Sequence, residues 1–225
     1  MLLTRLSTNP IVLRAIWLPW ILLPYPLRKR ATSSGIWALL LLKRAMGVQR
    51  RHAPTPTKNL FTLSFWGVPR IAPEQFTLTV DGNVNCPLRL SLDDLKNFPV
   101  VERQVTLDCV GGPRNIIAAR GVSMAAVLDR AEPVPDVATA VFHCADGYFT
   151  THPVKDLIET EAYLAYAING EEIPAHGYPL RLVSPGKYGY KWAKWVVRIE
   201  LVPGSPMGYW EQRSLPDRAW VGDLR

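Results

Sequence analysis

Hydrophobic and polar positions alternate in short runs along most of the chain after residue 58. Phe76, Leu78 and Val80 occupy every second position and run into Asp81-Gly82, which predicts a strand ending in a turn. Ala138, Ala140, Phe142 and Cys144 repeat the pattern before Asp146-Gly147, and Val105, Leu107 and Cys109 share one face of a third strand before Gly111-Gly112-Pro113. Pro179 to Val183 and Val196 to Leu201 predict two more strands, and Asn169-Gly170 a hairpin turn. Short helical stretches lie between them. Ser91-Leu92-Asp93-Asp94 carries a capping-box pattern, Ser123 is expected to cap a helix running through Arg130, and Pro153 to Thr160 reads as a third helix. Short strands mixed with short helices, without regular β-α alternation, predict an α+β fold rather than a doubly wound sheet. No internal repeat is visible.

The first 57 residues follow another pattern. Ile11 to Leu27 is apolar and carries Trp17, Trp20 and Tyr25, but Arg14, Pro19, Pro24 and Pro26 interrupt it. It falls short of the ~20 clean residues that a spanning helix needs. Arg28-Lys29-Arg30 follows, then a second apolar run from Ile36 to Leu42, then Lys43-Arg44. Two readings stand. One is an interfacial membrane anchor, with Trp17, Trp20, Leu22 and Leu23 in the lipid and the basic clusters drawn to anionic headgroups. The other is a transit peptide. No twin-arginine pair precedes an apolar run, so the expected place is a membrane surface with the folded domain on the cytoplasmic side. Pro54 and Pro56 read as linker. The expected division is an arm over 1–57 and a domain over 58–225.

Composition narrows the function. The 225 residues suit one substantial domain plus an extension, and a 48% hydrophobic fraction is ample for a core. The net charge of +7 is unevenly spread: ten of the 26 basic residues precede residue 59, leaving 16 against all 19 acidic residues, a net of −3. A nucleic-acid-binding domain is basic over its folded body, and that reading is excluded. Cys86, Cys109 and Cys144 are odd in number and widely spaced, which disfavours zinc ribbons, iron–sulfur clusters, covalent haem and a disulfide framework.

Two segments carry candidate chemistry. Cys109 stands at a strand end beside two glycines and Arg114, a setting that offers a thiolate to a metal-bearing cofactor; the alternative is a buried structural cysteine. Between Glu172 and Glu200 there is no acidic residue, while Arg181, Lys187, Lys191, Lys194 and Arg198 are cationic and interleaved with Tyr and Trp. That pattern suits an anionic, partly aromatic ligand, arginine offering a fork to phosphate and lysine a point charge. The alternative is a solvated basic hairpin.

Cys109 in its strand-end setting, His176-Gly177-Tyr178-Pro179-Leu180-Arg181, Lys187-Tyr188-Gly189-Tyr190-Lys191-Trp192-Ala193-Lys194-Trp195 and Gly208-Tyr209-Trp210-Glu211 together resemble the molybdopterin domain of the sulfite oxidase superfamily. This superfamily includes the sulfite oxidases and the catalytic subunit of bacterial protein-methionine-sulfoxide reductase. The resemblance covers roughly residues 59 to 221. It implies a molybdenum-molybdopterin cofactor with Cys109 as the protein thiolate on the metal. It implies cofactor contacts from the Asn59 side chain, from Thr62 and Leu63 through their backbone, and from Cys144 and His176. It further implies a phosphate clamp made by Arg181, Lys194 and the backbone of Trp192 and Ala193. Arg114 matches an arginine that binds sulfite in the oxidases, and Tyr148 a tyrosine facing the metal. Leu63 stands where the oxidases place another arginine, which weakens sulfite binding, and the dimerisation and haem domains of the oxidases have no counterpart here. The resemblance thus implies two-electron oxygen-atom transfer, sulfoxide reductase-like ahead of sulfite oxidase-like. It implies a small or protein-bound sulfoxide as the substrate and a separate haem- or quinone-linked partner as the source of electrons. A reading of another class is a cofactor-free binding or assembly module.

Overall fold

A computed structural model describes residues 22–45 and 53–222. Nine strands form two sheets: β1 (Thr77–Gly82), β2 (Leu88–Ser91), β3 (Val100–Asp108), β4 (Arg114–Ser123), β5 (Thr139–Cys144), β6 (Phe149–Pro153), β7 (Tyr163–Ile168), β8 (Arg181–Val183) and β9 (Val196–Val202). The first sheet has the order β2-β1-β9-β5-β6, antiparallel except for the parallel pair β1 and β9; the second has the order β3-β4-β7-β8 and is antiparallel throughout. The helices are α1 (Tyr25–Ala45), α2 (Leu92–Lys96), α3 (Met124–Ala131) and α4 (Val154–Glu159). The fold is α+β.

Local chemistry accounts for most element ends. Ser91 and Asp94 bond reciprocally across the start of α2, completing the capping box. Ser123 precedes α3 but makes no capping bond with its side chain, so this helix rests on burying Met124, Val127, Leu128 and Ala131. Asn169 and Gly170 both have positive φ, and Ile168 and Glu171 exchange backbone bonds across them, which is the two-residue turn the sequence predicts.

The main core lies between the sheets, joining Leu78, Phe142 and Ile199 of the first to Val122, Leu164 and Leu182 of the second, with α3 beside them. The second sheet is buried on its other face too, where Val105, Ile117, Tyr163, Ala165, Val183 and Trp192 form a separate cluster. That explains why β7 and β8 read as nearly continuous apolar runs rather than clean alternations. The second cluster is the floor of the cavity described below.

Two segments assigned to arm and linker are docked on this body. Thr55 is buried and clips onto β4: its N–H donates to the Ile116 carbonyl at 2.8 Å, and its Oγ1 accepts from the Ile116 N–H at 3.0 Å. The second apolar run is the C-terminal half of α1, whose Leu-rich sequence favours helix and whose prolines fall before or within the first turn. Tyr25, Lys29, Thr32, Ile36 and Leu40 recur at spacings of three and four and fall on one helical face. Trp37, Leu41 and Leu42 stay exposed. Trp17 and Trp20 lie outside the described residues; Leu22 and Leu23 are exposed. Among the described residues no helix is long and apolar enough to cross a membrane.

Candidate active site

β3 ends at Asp108, and the next residue enters a tight turn: the Cys109 N–H donates to the Pro113 carbonyl at 2.9 Å, and the Gly112 N–H returns to the Cys109 carbonyl at 2.9 Å. Leu107 and Cys109 share a face, and both line a cavity of about 650 Å³. Asn115 and Ile117 of β4 continue this wall, Ile168 of β7 and Arg181 of β8 extend it, and Trp192 and Lys194 complete it. The backbones of Arg181 and Lys194 meet in an antiparallel bridge, which brings the two cations to one place. Gly177 is what lets them meet. It has φ of +107°, and a Cβ there would lie 2.8 Å from Cβ of Arg181 and 3.2 Å from Cβ of Lys194.

The electrostatics of this corner are those of a site built for an anion. Arg181 is 5% exposed. One of its terminal nitrogens donates to the His176 carbonyl at 2.8 Å, while its Nε is buried with no partner. Burial lowers its pKa to about 10. Lys194 Nζ is held by Thr62 Oγ1 at 3.0 Å, the Leu63 carbonyl at 2.7 Å and Ser64 Oγ at 2.8 Å, with no carboxylate bonded to it among the described residues. Burial, and then the charge of Arg181, lowers its pKa to about 7. His176 is brought down to about 4 by burial and by the same two cations, so its ring is neutral at physiological pH. Asp146, also on the cavity wall, acts on Lys194 through its charge but does not offset the burial, and an entering anion would raise all three pKa values.

On the Cys109 side the lining is aromatic and aliphatic. The Tyr148 hydroxyl donates to the Tyr190 carbonyl, and Tyr190 donates to the Pro216 carbonyl at 2.6 Å. Burial, reinforced by Glu211, pushes the Tyr148 phenol well above its ordinary range and keeps it protonated. Phe65, Trp66, Tyr209 and Trp210 pack as a chain of tilted and edge-on rings with centroids 5.0–6.1 Å apart. Arg213 lines the cavity with its guanidinium carbon 3.5 Å from the Tyr209 ring centroid.

Of the residues singled out by sequence, Cys109, Thr62, Leu63, Tyr148, His176, Arg181, Trp192 and Lys194 line the cavity. Four do not. Asn59 is exposed on a short 3-10 turn before the lining begins at Leu60. Cys144 is a core thiol, 7% exposed, its pKa pushed far up by burial. Ala193 is fully buried in the main core, and its carbonyl accepts from Leu182 at 2.8 Å. Arg114 is opposite Asp108 on the ladder, on the face of β4 away from Asn115 and Ile117, and grips that carboxylate with two bonds of 2.7 and 2.8 Å. Strand alternation, not spacing from Cys109, decides where it points.

Sequence reasoning missed Asn115, whose side-chain amide both donates to and accepts from the Phe61 backbone, at 2.7 and 3.1 Å, and so pins the 60–66 segment over the cavity. It also missed Arg213, Trp210, and Thr32 and Ile36 of α1. A polar residue inside an apolar strand was the available signal for Asn115; Trp210 stood in the Gly208-Tyr209-Trp210-Glu211 motif without a role assigned to it, and nothing local marked Arg213, Thr32 or Ile36. The five cations of the acid-free stretch separate as well. Lys187 and Lys191 are buried against Asp156 and Glu211, Arg198 pairs with Asp81 and Glu200, and only Arg181 and Lys194 reach the cavity.

The chain is similar to several known proteins. The chain is 34% identical over 142 residues to the uncharacterized oxidoreductase YuiH of Bacillus subtilis, covering 62% of this chain and 72% of that protein. It is 32% identical over 191 residues to human mitochondrial sulfite oxidase, covering 71% of this chain and 35% of the enzyme. A protein of Azospira oryzae named as a candidate protein-methionine-sulfoxide reductase subunit is 29% identical over 148 residues, 65% of this chain and 56% of that protein. Among solved structures, the sulfane dehydrogenase SoxCD of Paracoccus pantotrophus superposes with a TM-score of 0.57 at 25% identity, over 60% of this chain and 40% of that one. The chain thus spans about a third to three quarters of the length of these relatives. Residues 65–210 match the oxidoreductase molybdopterin binding domain, and the protein belongs to that family of molybdopterin-dependent oxidoreductases.

Proposed function

We propose that this oxidoreductase reduces sulfoxides, with molybdenum bound through Cys109 Sγ and the phosphate of the pterin held by Arg181 and Lys194. The single observation that carries the cofactor assignment is the buried, unpartnered Nε of Arg181, next to a second cation without a carboxylate partner, in a cavity roomy enough for a pterin. When bound, the molybdenum cofactor supplies the two-electron acceptance and donation of an oxygen atom. The chain's own residues do the rest. His176, neutral, lines the cavity without adding charge. Tyr148 presents a protonated phenol held in place by the Tyr190 carbonyl. Asn115 and Lys194 fix the 60–66 segment as the cavity's outer wall.

The overall reaction takes up two electrons and two protons, converting a sulfoxide to a thioether and releasing its oxygen as water. Among the described residues no group of three or more His, Cys, Asp or Glu is placed to hold a metal ion, and on this reading the electrons come from a separate redox partner of haem or quinone chemistry. Substrate choice follows from charge. Sulfite is a small anion that needs several cations around it. With Arg114 committed to Asp108 and Leu63 uncharged, Arg213 is the one cation left beside the aromatic lining. A neutral sulfoxide carries no such requirement.

Steady-state assays with methionine sulfoxide and with sulfite test this, together with metal analysis of Cys109→Ser. The expected outcome is sulfoxide turnover, about one molybdenum per chain in the wild type, and loss of the thiolate-to-metal absorption in the variant. Sulfite oxidation with a sub-millimolar KM would overturn the substrate, and unchanged absorption in Cys109→Ser would overturn the ligand. We also place the arm at an anionic membrane surface, supported by Trp37, Leu41 and Leu42 exposed on α1 close to basic clusters. Co-flotation of the full chain with phosphatidylglycerol vesicles, and its loss in Trp37→Glu, checks that placement.

A further inference from the structure

The family match begins at residue 65 and ends at 210, yet part of the cavity wall comes from outside it. Thr32 and Ile36 of α1 line the cavity, as do Arg213 and Leu215 of the C-terminal tail. Ile36 and Leu40 pack on Tyr188 and Ala219 in the same cluster as Val110, the residue directly after Cys109. At its start α1 is tied to the tail: the Tyr25 hydroxyl donates to Asp217 Oδ1 at 3.2 Å, and Lys29 Nζ to Asp217 Oδ2 at 3.1 Å. The Lys29–Asp217 pair is substantially exposed and holds little by itself. The half-buried face of Ile36 and Leu40 therefore does most of the docking.

We infer that α1 is the substrate-side wall of the cavity and that Ile36 sets how bulky a group can approach Cys109. The wall it forms with Val110 and Leu215 is apolar, with Thr32 the one hydroxyl that α1 adds to the lining. It accommodates an uncharged alkyl or aryl substituent and, Arg213 apart, sets no charged side chain beside it. For the enzyme this inference rests on the sulfoxide reading above, but its first test does not.

The first test uses the full chain produced without molybdenum cofactor, in a Cys86→Ser background that removes the exposed thiol; Cys144 is buried and its thiol is held protonated. Alkylation of Cys109 by iodoacetamide and by a pyrene maleimide is followed by peptide mass spectrometry. Relative to the parent, Ile36→Ala should speed the bulky reagent about fivefold or more and Ile36→Trp should slow it, while iodoacetamide changes less than about twofold, as expected for a steric wall. Equal response of both reagents, or none, overturns the inference.

The second test uses the cofactor-loaded enzyme with dimethyl sulfoxide and a bulky aryl sulfoxide. Ile36→Ala should raise the aryl-to-methyl ratio of kcat/KM about tenfold with molybdenum content unchanged. Loss of molybdenum in Ile36→Ala would make α1 part of the cofactor cradle and overturn its role as a substrate wall. If the wild type turns over neither sulfoxide while alkylation still follows reagent size, the sulfoxide reading fails and the wall stands.

Discussion

Between Arg181 and Lys194 the chain carries two pairs of cations that the fold treats in opposite ways. Lys187 and Lys191 are 1–2% exposed, and each meets a buried carboxylate: Lys187 is 2.5 Å from Asp156, and Lys191 bonds Glu211 and the Thr151 carbonyl. Arg181 and Lys194 are also withdrawn from water, yet they meet backbone carbonyls and hydroxyls and no carboxylate among the described residues. The first pair braces the body: Asp156 belongs to α4 and Glu211 to the tail, so each lysine ties a distant element to the loop. The second pair leaves its charge unspent and faces a cavity. A buried cation is a strut when its counter-charge is built in, and a binding group when the counter-charge must arrive.

The comparison breaks most visibly in stability. Lys191→Met should destabilise the cofactor-free protein by about 3–5 kcal/mol, because it strands Glu211, whose pKa burial already raises. A shift of the urea midpoint measures it, and the double variant with Glu211→Leu should recover most of the loss. Arg181→Met should behave in the opposite way. The cofactor-free protein keeps or gains stability, since an uncompensated buried charge is removed, while molybdenum retained on purification falls about tenfold or more, as charged hydrogen bonds of about 1.5–3 kcal/mol are lost. If Arg181→Met destabilised the empty protein as much as Lys191→Met, the distinction would collapse.

Gly177→Ala sharpens the same contrast without touching charge. Its φ of +107° and the 2.8 Å approach to Cβ of Arg181 should cost about 1–3 kcal/mol in urea unfolding and lower molybdenum retention as the two cations are pushed apart. The smallest effect is in pH. Lys194 falls from an ordinary 10.5 to about 7, so the unfolded chain holds this proton more tightly between those values. The cofactor-free protein should therefore gain stability from this group as pH rises from about 7, its penalty being complete below. Binding of inorganic phosphate to the cavity should run the other way, weakening about fivefold from pH 7 to 8 as the empty site loses its charge. His176, near 4, adds no slope there. Calorimetric titrations of the wild type and Lys194→Met, with a flat profile in the variant, check both the group and the sign.

Much of the frame was legible before folding. β1, β5 and β9 follow from alternation, α2 from its capping box, and the turn at Asn169-Gly170 from two residues that tolerate positive φ. Arg181 was singled out too, as an arginine inside an apolar strand, and β8 buries it against the cavity. Where Arg114 points was not legible. Its spacing from Cys109 pointed to the substrate, but spacing ignores the hairpin between β3 and β4, which sends successive residues to opposite faces and closes Arg114 on Asp108. Asn59 fails for a related reason: the segment enters the cavity one residue later, where Asn115 grips the Phe61 backbone. Cys144 alternates inward with Ala140 and Phe142, and inward there is the core rather than the cavity.

By itself the sequence determined the α+β class, the strand-end cysteine and the acid-free stretch that carries Arg181 and Lys194, because alternation, turn chemistry and local charge are properties of neighbouring residues. Only the tertiary structure decided which cations are neutralised and what closes the cavity. Asp156 lies 31 residues from Lys187 and Glu211 20 from Lys191. The wall beside Cys109 comes from α1, whose anchor Asp217 is 188 residues beyond Lys29. Charge compensation and cavity shape depend on distance in space, and a chain folded into two sheets brings together residues whose separation in sequence carries no sign of it.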